Sequence, residues 1–251
     1  MIRAVALTIG LLVSASVLPG QNPAEHIDRG DRFRAALDGT SALREYLAAI
    51  RLSPSNAEAL WRASSEAVDL GEFNDAKRDS LYRLGEELAR RAVQADSTLS
   101  MAYFALAKAL GRRAQSLGTR DRVKYAEAVR AAALESLKRD SVNPGALHVM
   151  GMWNAEIMRL SGVERFFARR LLGGKTMSEA NWRSAITYLE KAIAVDPQRI
   201  VHRLELGGIF EERGERQKAR ETWNSALGLR PLEPNDPEYR KKVEARVSAL
   251  R

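Results

Sequence analysis

Two stretches of this chain carry the same six-residue spacing. Gly30, Phe33, Ala42, Tyr46, Ala49 and Pro54 are separated by 3, 9, 4, 3 and 5 residues, and Gly207, Phe210, Ala219, Trp223, Ala226 and Pro231 repeat those separations 177 residues further on. A small residue and an aromatic on one helix face small–aromatic–small on the next, and a Pro then stops the chain. Small residues at these points let two helices approach closely, and the aromatics fill the space beside them. A hairpin built this way buries its apolar face on its neighbours and grows in one dimension. The 251 residues therefore read as an array rather than as one or two globular domains. Ala, Leu and Arg dominate and β-branched runs are nearly absent after residue 20, so the fold class is all-α.

The hairpins can be laid out from their Pro or Asp landmarks. The first runs from about Pro23 to Asn56, with Gly39 and Thr40 in its turn. The second opens after Pro54-Ser55, with Ser55 as N-cap, and carries Leu81, Leu84, Leu88 and Ala92 on its return helix. The third pairs Met101–Ser116 with Asp121–Arg139; Asp96-Ser97 and Asp140-Ser141 stand where Asp-Pro is usual. The fourth starts after Asn143-Pro144, but from Gly151 to Ala185 is 34 residues where the regular hairpins use 12. The 22 extra residues include Val163–Leu172, expected as a short helix, and the Gly173-Gly174 stop, before a partner helix over Ser178–Val195. The last hairpin, Ile200–Pro231, has standard length. Asp236-Pro237 then starts a capping helix, with Tyr239, Val243, Val247 and Leu250 on one face.

The repeated spacing resembles the tetratricopeptide repeat (TPR), which implies an α-solenoid of about five antiparallel hairpins over residues 23–250. A second resemblance is more specific. Leu60-Trp61-Arg62-Ala63, then Ala146-Leu147-His148-Val149-Met150-Gly151-Met152-Trp153, then Val163-Glu164-Arg165-Phe166-Phe167 and Leu171-Leu172-Gly173 are similar to the regulator of microtubule dynamics family. That resemblance covers residues from about 25 to 250. It implies a helical scaffold and, in eukaryotic members, microtubule association and organelle anchoring.

Residues 1–20 form a separate unit. Arg3 and the free amine precede Ala4–Leu18, a 15-residue run without charge. A membrane span needs about 20 apolar residues, so these are the proportions of a secretory signal peptide, with cleavage after Ala15 or Gly20. An uncleaved N-terminal anchor is the alternative. The expected location is thus outside the cytoplasm, in the periplasm or cell envelope. The chain has no cysteine, hence no disulfide, lipid-attachment thiol or thiolate nucleophile. Its net charge of +8 is dispersed among alternating signs, as in Arg90-Arg91 opposite Glu86-Glu87, so no nucleic-acid partner is expected.

No enzymatic constellation is present. His26, His148 and His202 fall in no zinc-binding spacing, so no metal and no cofactor is expected. Gly173-Gly174-Lys175-Thr176 resembles a phosphate loop only superficially, since the first Gly of that motif is missing. The segment around 162–177 sets Phe166, Phe167, Leu171 and Leu172 against Arg165, Arg169 and Arg170, which suits either packing on the array or peripheral membrane contact.

The TPR resemblance places a binding groove along the first helix of each hairpin. It implies Ile27, Asp31 and Arg34; Trp61, Ser65 and Asp69; Phe104, Lys108 and Arg112; His148, Met152 and Glu156; and Leu204 in the last hairpin. The Lys-and-Asn clamp of TPR co-chaperones is missing. An apolar groove with mixed charges suits a protein partner or extended peptide, and the expected function is a non-enzymatic scaffold. The alternative is a lipid or small molecule in a pocket closed by residues 162–177. The sequence leaves the oligomeric state open.

Overall fold

A computed structural model of the chain describes residues 22–115, 117–162 and 178–250. Among them eleven α-helices follow in order: α1 Pro23–Ala35, α2 Gly39–Leu52, α3 Ala57–Glu72, α4 Arg78–Ala95, α5 Ser100–Gln115, α6 Thr119–Arg139, α7 Pro144–Arg159, α8 Trp182–Val195, α9 Ile200–Glu212, α10 Arg216–Leu227 and α11 Asp236–Ala249. Consecutive helices pack as five hairpins, α1/α2 to α9/α10, with α11 on the last. The segment expected as a helix over Val163–Leu172, its Gly-Gly stop and the leader lie outside the described residues.

Short polar residues set the helix starts. Asn22, Asp38, Asn56, Asn143 and Asn181 each accept a backbone N–H of the first turn through the side chain, satisfying one of the donors a helix leaves open. The cap of α3 is thus Asn56, one residue beyond the expected Ser55. The connections between hairpins share one turn. Asn56, Leu99, Asn143 and Arg199 donate backbone N–H to the carbonyls of Ser53, Asp96, Asp140 and Asp196, three residues earlier. At Asp96 and Asp140 the carboxylate also accepts the backbone N–H two residues on, at 2.8 and 3.1 Å. This local bond lets Asp-Ser replace Asp-Pro.

The repeat spacing reappears as geometry. A Cβ on Gly30 would sit 2.4 Å from the Tyr46 ring, and one on Gly207 would sit 2.3 Å from Trp223 Nε1. Each glycine therefore carries an aromatic from the second helix of its own hairpin, flanked by buried Ala42 and Ala49 or Ala219 and Ala226. The turns match as well. Residues 36–38, not Gly39 and Thr40, join α1 to α2, and Leu37 takes φ 64°; the same place in the last hairpin is Gly214, with φ 77°. In both, the backbone N–H that follows bonds to the carbonyl of the aromatic, Asp38 to Phe33 and Glu215 to Phe210. Leu37 holds a left-handed conformation that costs an L-residue roughly 1–2 kcal/mol.

Three larger apolar clusters run along the array. The first holds Leu43, Tyr46, Leu60 and Leu88, the second Leu110, Val129, Met150 and Trp153, and the third Leu189, Ile200, Ile209 and Trp223. In the stretched fourth hairpin, buried Asn154 links the two helices directly. Its side chain donates to the Met150 carbonyl at 2.8 Å and accepts from Asn181 N at 3.2 Å, which pins the start of α8 to α7.

Two neighbouring glycines test this packing. Gly207→Ala forces a methyl into the Trp223 indole and is expected to destabilise the chain by about 1–3 kcal/mol. Gly208→Ala meets nothing within 4 Å and should stabilise it by up to about 1 kcal/mol through helix propensity. Urea unfolding followed by circular dichroism reads both; equal midpoints for the two variants would contradict the packing.

Candidate functional site

The first helices of the hairpins, α1, α3, α5, α7 and α9, line the inner side of the array, and the chain itself closes that side. After α10, residues 229–235 leave the helix and cross to the N-terminal end. Glu233 there takes salt bridges from Arg34 of α1 and from Arg199 at the start of α9. Asn235 Nδ2 donates to the Asp69 carbonyl at 2.9 Å, and Tyr239 Oη of α11 donates to Glu72 at 2.7 Å, both on α3. Asp236 orders the crossing: its Oδ2 accepts the N–H groups of Leu232 and Glu233. It thus caps the preceding loop rather than α11, whose first turn has no side-chain cap. The capping helix covers the last hairpin through Tyr239, Val243 and Val247, and also joins the last hairpin to the second.

This closure leaves a cavity of about 570 Å³. One wall is apolar, with Val129, Val149, Met152, Trp153 and Ile157. The other is a lattice of buried ion pairs. Arg34 bonds Glu66 at 2.9 Å, Lys108 bonds Asp69 at 2.7 Å and Arg112 bonds Glu72 at 2.6 Å. At the far edge Arg159 reaches Glu212 and Glu156, both at 2.5 Å. Burial without a full partner set has a cost. Glu66 is 0% exposed and its Oε1 has no partner; burial pushes its carboxyl up to about 7, although Arg34 opposes the shift. Asp69 goes the other way, because Lys108 and Arg34 outweigh its burial.

Two histidines meet in the same cavity. His148 of α7 and His202 of α9 bring their Nδ1 atoms to 3.0 Å, with ring centroids 4.9 Å apart. One ring must donate and the other accept, so the two rings cannot both be charged. Burial pushes His148 down to about 3, helped by Arg112, Arg199 and Lys108. It holds His202 well below the usual histidine range as well, and His148 and Arg199 add to that. Among the described residues no group of three or more His, Asp or Glu is placed to hold a metal ion.

Of the groove residues read from the sequence, Arg34, Asp69, Phe104, Lys108, Arg112, His148, Met152 and Glu156 line this one cavity. The others face elsewhere. Ile27 and Trp61 pack on the N-terminal cluster, and Leu204 is buried in the C-terminal one. Asp31 accepts from Tyr46 Oη at 2.7 Å and Arg62 Nε at 3.1 Å. Ser65 is buried, and its carbonyl accepts from Lys108 at 3.4 Å. In the last hairpin the cavity face is Val201, His202 and Glu205 instead of Leu204. The sequence carries a signal for it. Arg199, at the N-cap, and His202 and Glu205 are polar residues at three-residue spacing on one side of α9, apart from Arg203, Glu211 and Glu212. The crossing residues Glu233, Asn235 and Asp236 follow no repeat position and have no such signal.

Stacked antiparallel hairpins with small–aromatic seams, an inner face of first helices and a terminal cap define a tetratricopeptide-repeat solenoid. Solved structures share the fold. A thermophilic TPR protein from Thermus thermophilus superposes with a TM-score of 0.64 at 17% identity, over 90% of this chain and 99% of that one. PilF of Pseudomonas aeruginosa superposes with 0.50 at 14% identity, over 91% and 88%. Among curated proteins none matches the chain in sequence. The family described as regulator of microtubule dynamics protein 1-3 matches residues 26–251, and the chain belongs to that family.

Glu66 supplies a pH test with a definite sign. Its folded pKa of about 7 lies above the ordinary 4.5, so its contribution to stability is greatest below about pH 4.5 and is lost as pH rises through about 7. The histidine pair has the opposite sign, because an unfolded chain takes up protons there first. Subtracting the Glu66→Gln variant from the wild type cancels that second effect. The wild type should gain on the order of 2–3 kcal/mol relative to Glu66→Gln when urea unfolding is measured at pH 5 instead of pH 8. A difference independent of pH would show that Glu66 is ionised throughout.

Proposed function

We propose that this chain is a non-enzymatic scaffold of the cell envelope that holds an extended segment of a protein partner against its inner face. The observation that carries the reading is this cavity. Its volume lies within the roughly 300–1,000 Å³ of ligand sites, space for a few residues of extended chain. Both kinds of contact that such a segment needs are present, an apolar strip on α7 and a rigid polar wall on α3 and α5. The side chains on that wall are tied to one another in pairs, as a binding surface needs and a proton-transfer site does not. The size of the cavity and the strip of Val149, Met152 and Trp153 also favour a second reading, a lipid or small apolar ligand. Of residues 162–177, expected to close the pocket, 163–177 lie outside the described residues.

Placing a photo-reactive benzoylphenylalanine at Met152 separates the two readings. A protein partner should give a discrete cross-linked polypeptide, absent when the probe is moved to Leu52, which is 45% exposed at the end of α2. A lipid mass retained by the purified chain in native mass spectrometry, with no polypeptide adduct at Met152, would overturn the protein reading in favour of the second. The envelope location rests on residues 1–20. Among the described residues no helix is long and apolar enough to cross a membrane. N-terminal sequencing of the chain from its native host should find a start after Ala15 or Gly20; a start at Met1 would end the processing claim.

A further inference from the structure

We propose that the face formed by α7 and α9 is a subsite for an organic cation, an ammonium or guanidinium group on an apolar stem such as a lysine or arginine side chain. This rests on the extended-segment reading and names the chemistry of one contact within it.

The argument is a balance of donors and acceptors. Five of the cations on the cavity wall already have carboxylates: Arg34, Lys108 and Arg112 on α3 and the crossing segment, Arg159 on Glu156 and Glu212, and Arg199 on Glu233 and Asp196. Arg122 spends a guanidinium nitrogen on the Leu117 carbonyl, at 3.3 Å. An anionic ligand would have to share cations that these carboxylates already neutralise, using only the N–H donors left over.

The groups that lack partners can accept. Glu205 lines the cavity and forms no hydrogen bond or ion pair among the described residues. His202 Nε2 is buried and unpartnered, on a side chain 3% exposed. Asp236 Oδ1 is in the same condition, on a residue 1% exposed. His202 and Glu205 stand one turn apart on the same face of α9, where side chains are neighbours. When His202 donates through Nδ1 to His148, its Nε2 carries a lone pair, so the two residues form a pair of acceptors.

The surroundings fit a cation with an apolar stem. His148 and Met152, one turn apart on α7, and Val149 beside them offer the stem an apolar wall. Burial holds the Glu205 carboxyl above the usual carboxylate range, with Arg112 and Arg159 pulling it down and Glu72 pushing it up. Arg112 and Lys242 face Glu72, at 2.6 and 3.7 Å, and Arg159 faces Glu156 and Glu212, so Glu205 is left without a donor of its own. Glu205 is half-buried and faces the cavity, and a ligand ammonium would supply the missing donor.

The test uses acetylated, amidated pentapeptides Ala-Ala-X-Ala-Ala with X as lysine, norleucine or glutamate, and n-butylamine as the free cation. Binding to the full chain is read by NMR titration. Lysine should bind at least about tenfold more tightly than norleucine, the equivalent of about 1.4 kcal/mol, and glutamate more weakly than either. Glu205→Gln, isosteric and checked for folding by its melting curve, should bring the lysine and norleucine affinities within about twofold. Equal binding of lysine and norleucine to the wild type, or a preference for glutamate, overturns the cation subsite and leaves the peptide reading standing. Binding of butylamine to the wild type but not to Glu205→Gln, with no peptide bound, supports the subsite and overturns the peptide reading. If neither peptides nor butylamine bind, the subsite is overturned.

Discussion

The structure depends on how closely two helices can approach. Where Gly30 meets Tyr46 and Gly207 meets Trp223, the absence of a Cβ lets a ring lie against backbone, and that contact fixes the angle within each hairpin. Repeating it with alanines at the flanking positions gives each hairpin the same lean. The array therefore curves, and its first helices are brought to one inner surface. Gly71 against Tyr82 and Gly151 against Leu189 are the same device with other partners. The cavity follows from curvature set by residues that never touch it.

Within that surface the polar groups are arranged as a mesh. Arg34 and Arg199 share Glu233, while Lys108 and Arg112 hold two carboxylates of α3. Such pairs contribute little net stability once desolvation is counted. Their effect is directional: long side chains are fixed in single orientations, and the few acceptors that remain unpaired become the points where something else can bind. The neutral histidine pair belongs to this scheme, since surrounding guanidinium groups and burial both keep protons off it.

Much of the architecture was legible in the sequence because helix packing is local. Small–aromatic spacing, Asp-Ser and Asp-Pro turns and the apolar face of α11 are written within one hairpin, so hairpin order and the terminal cap could be read directly. The site was legible only where it shares that local logic. Eight inner-face positions of α1, α3, α5 and α7 converge on one cavity, because each lies at a fixed offset from its own Gly or Ala. In α9 the offset fails: the capping helix covers Leu204's side, and His202 and Glu205 face inward instead. The pairing of His148 with His202, and of Arg34 with Glu233, spans residues far apart in the chain, and nothing local encodes it. Curvature accumulated over five hairpins decides those contacts.

Glu233 has one more consequence. An open solenoid can gain or lose a hairpin at little cost, since each contacts only its neighbours. Here a carboxylate beyond the last hairpin must reach a guanidinium in the first and one in the fifth at once. Adding a sixth hairpin would carry Glu233 past Arg34 along the superhelix, and removing one would leave it short. The bridge thus acts as a ruler: five hairpins of this curvature bring the two ends of the array within reach of one carboxylate.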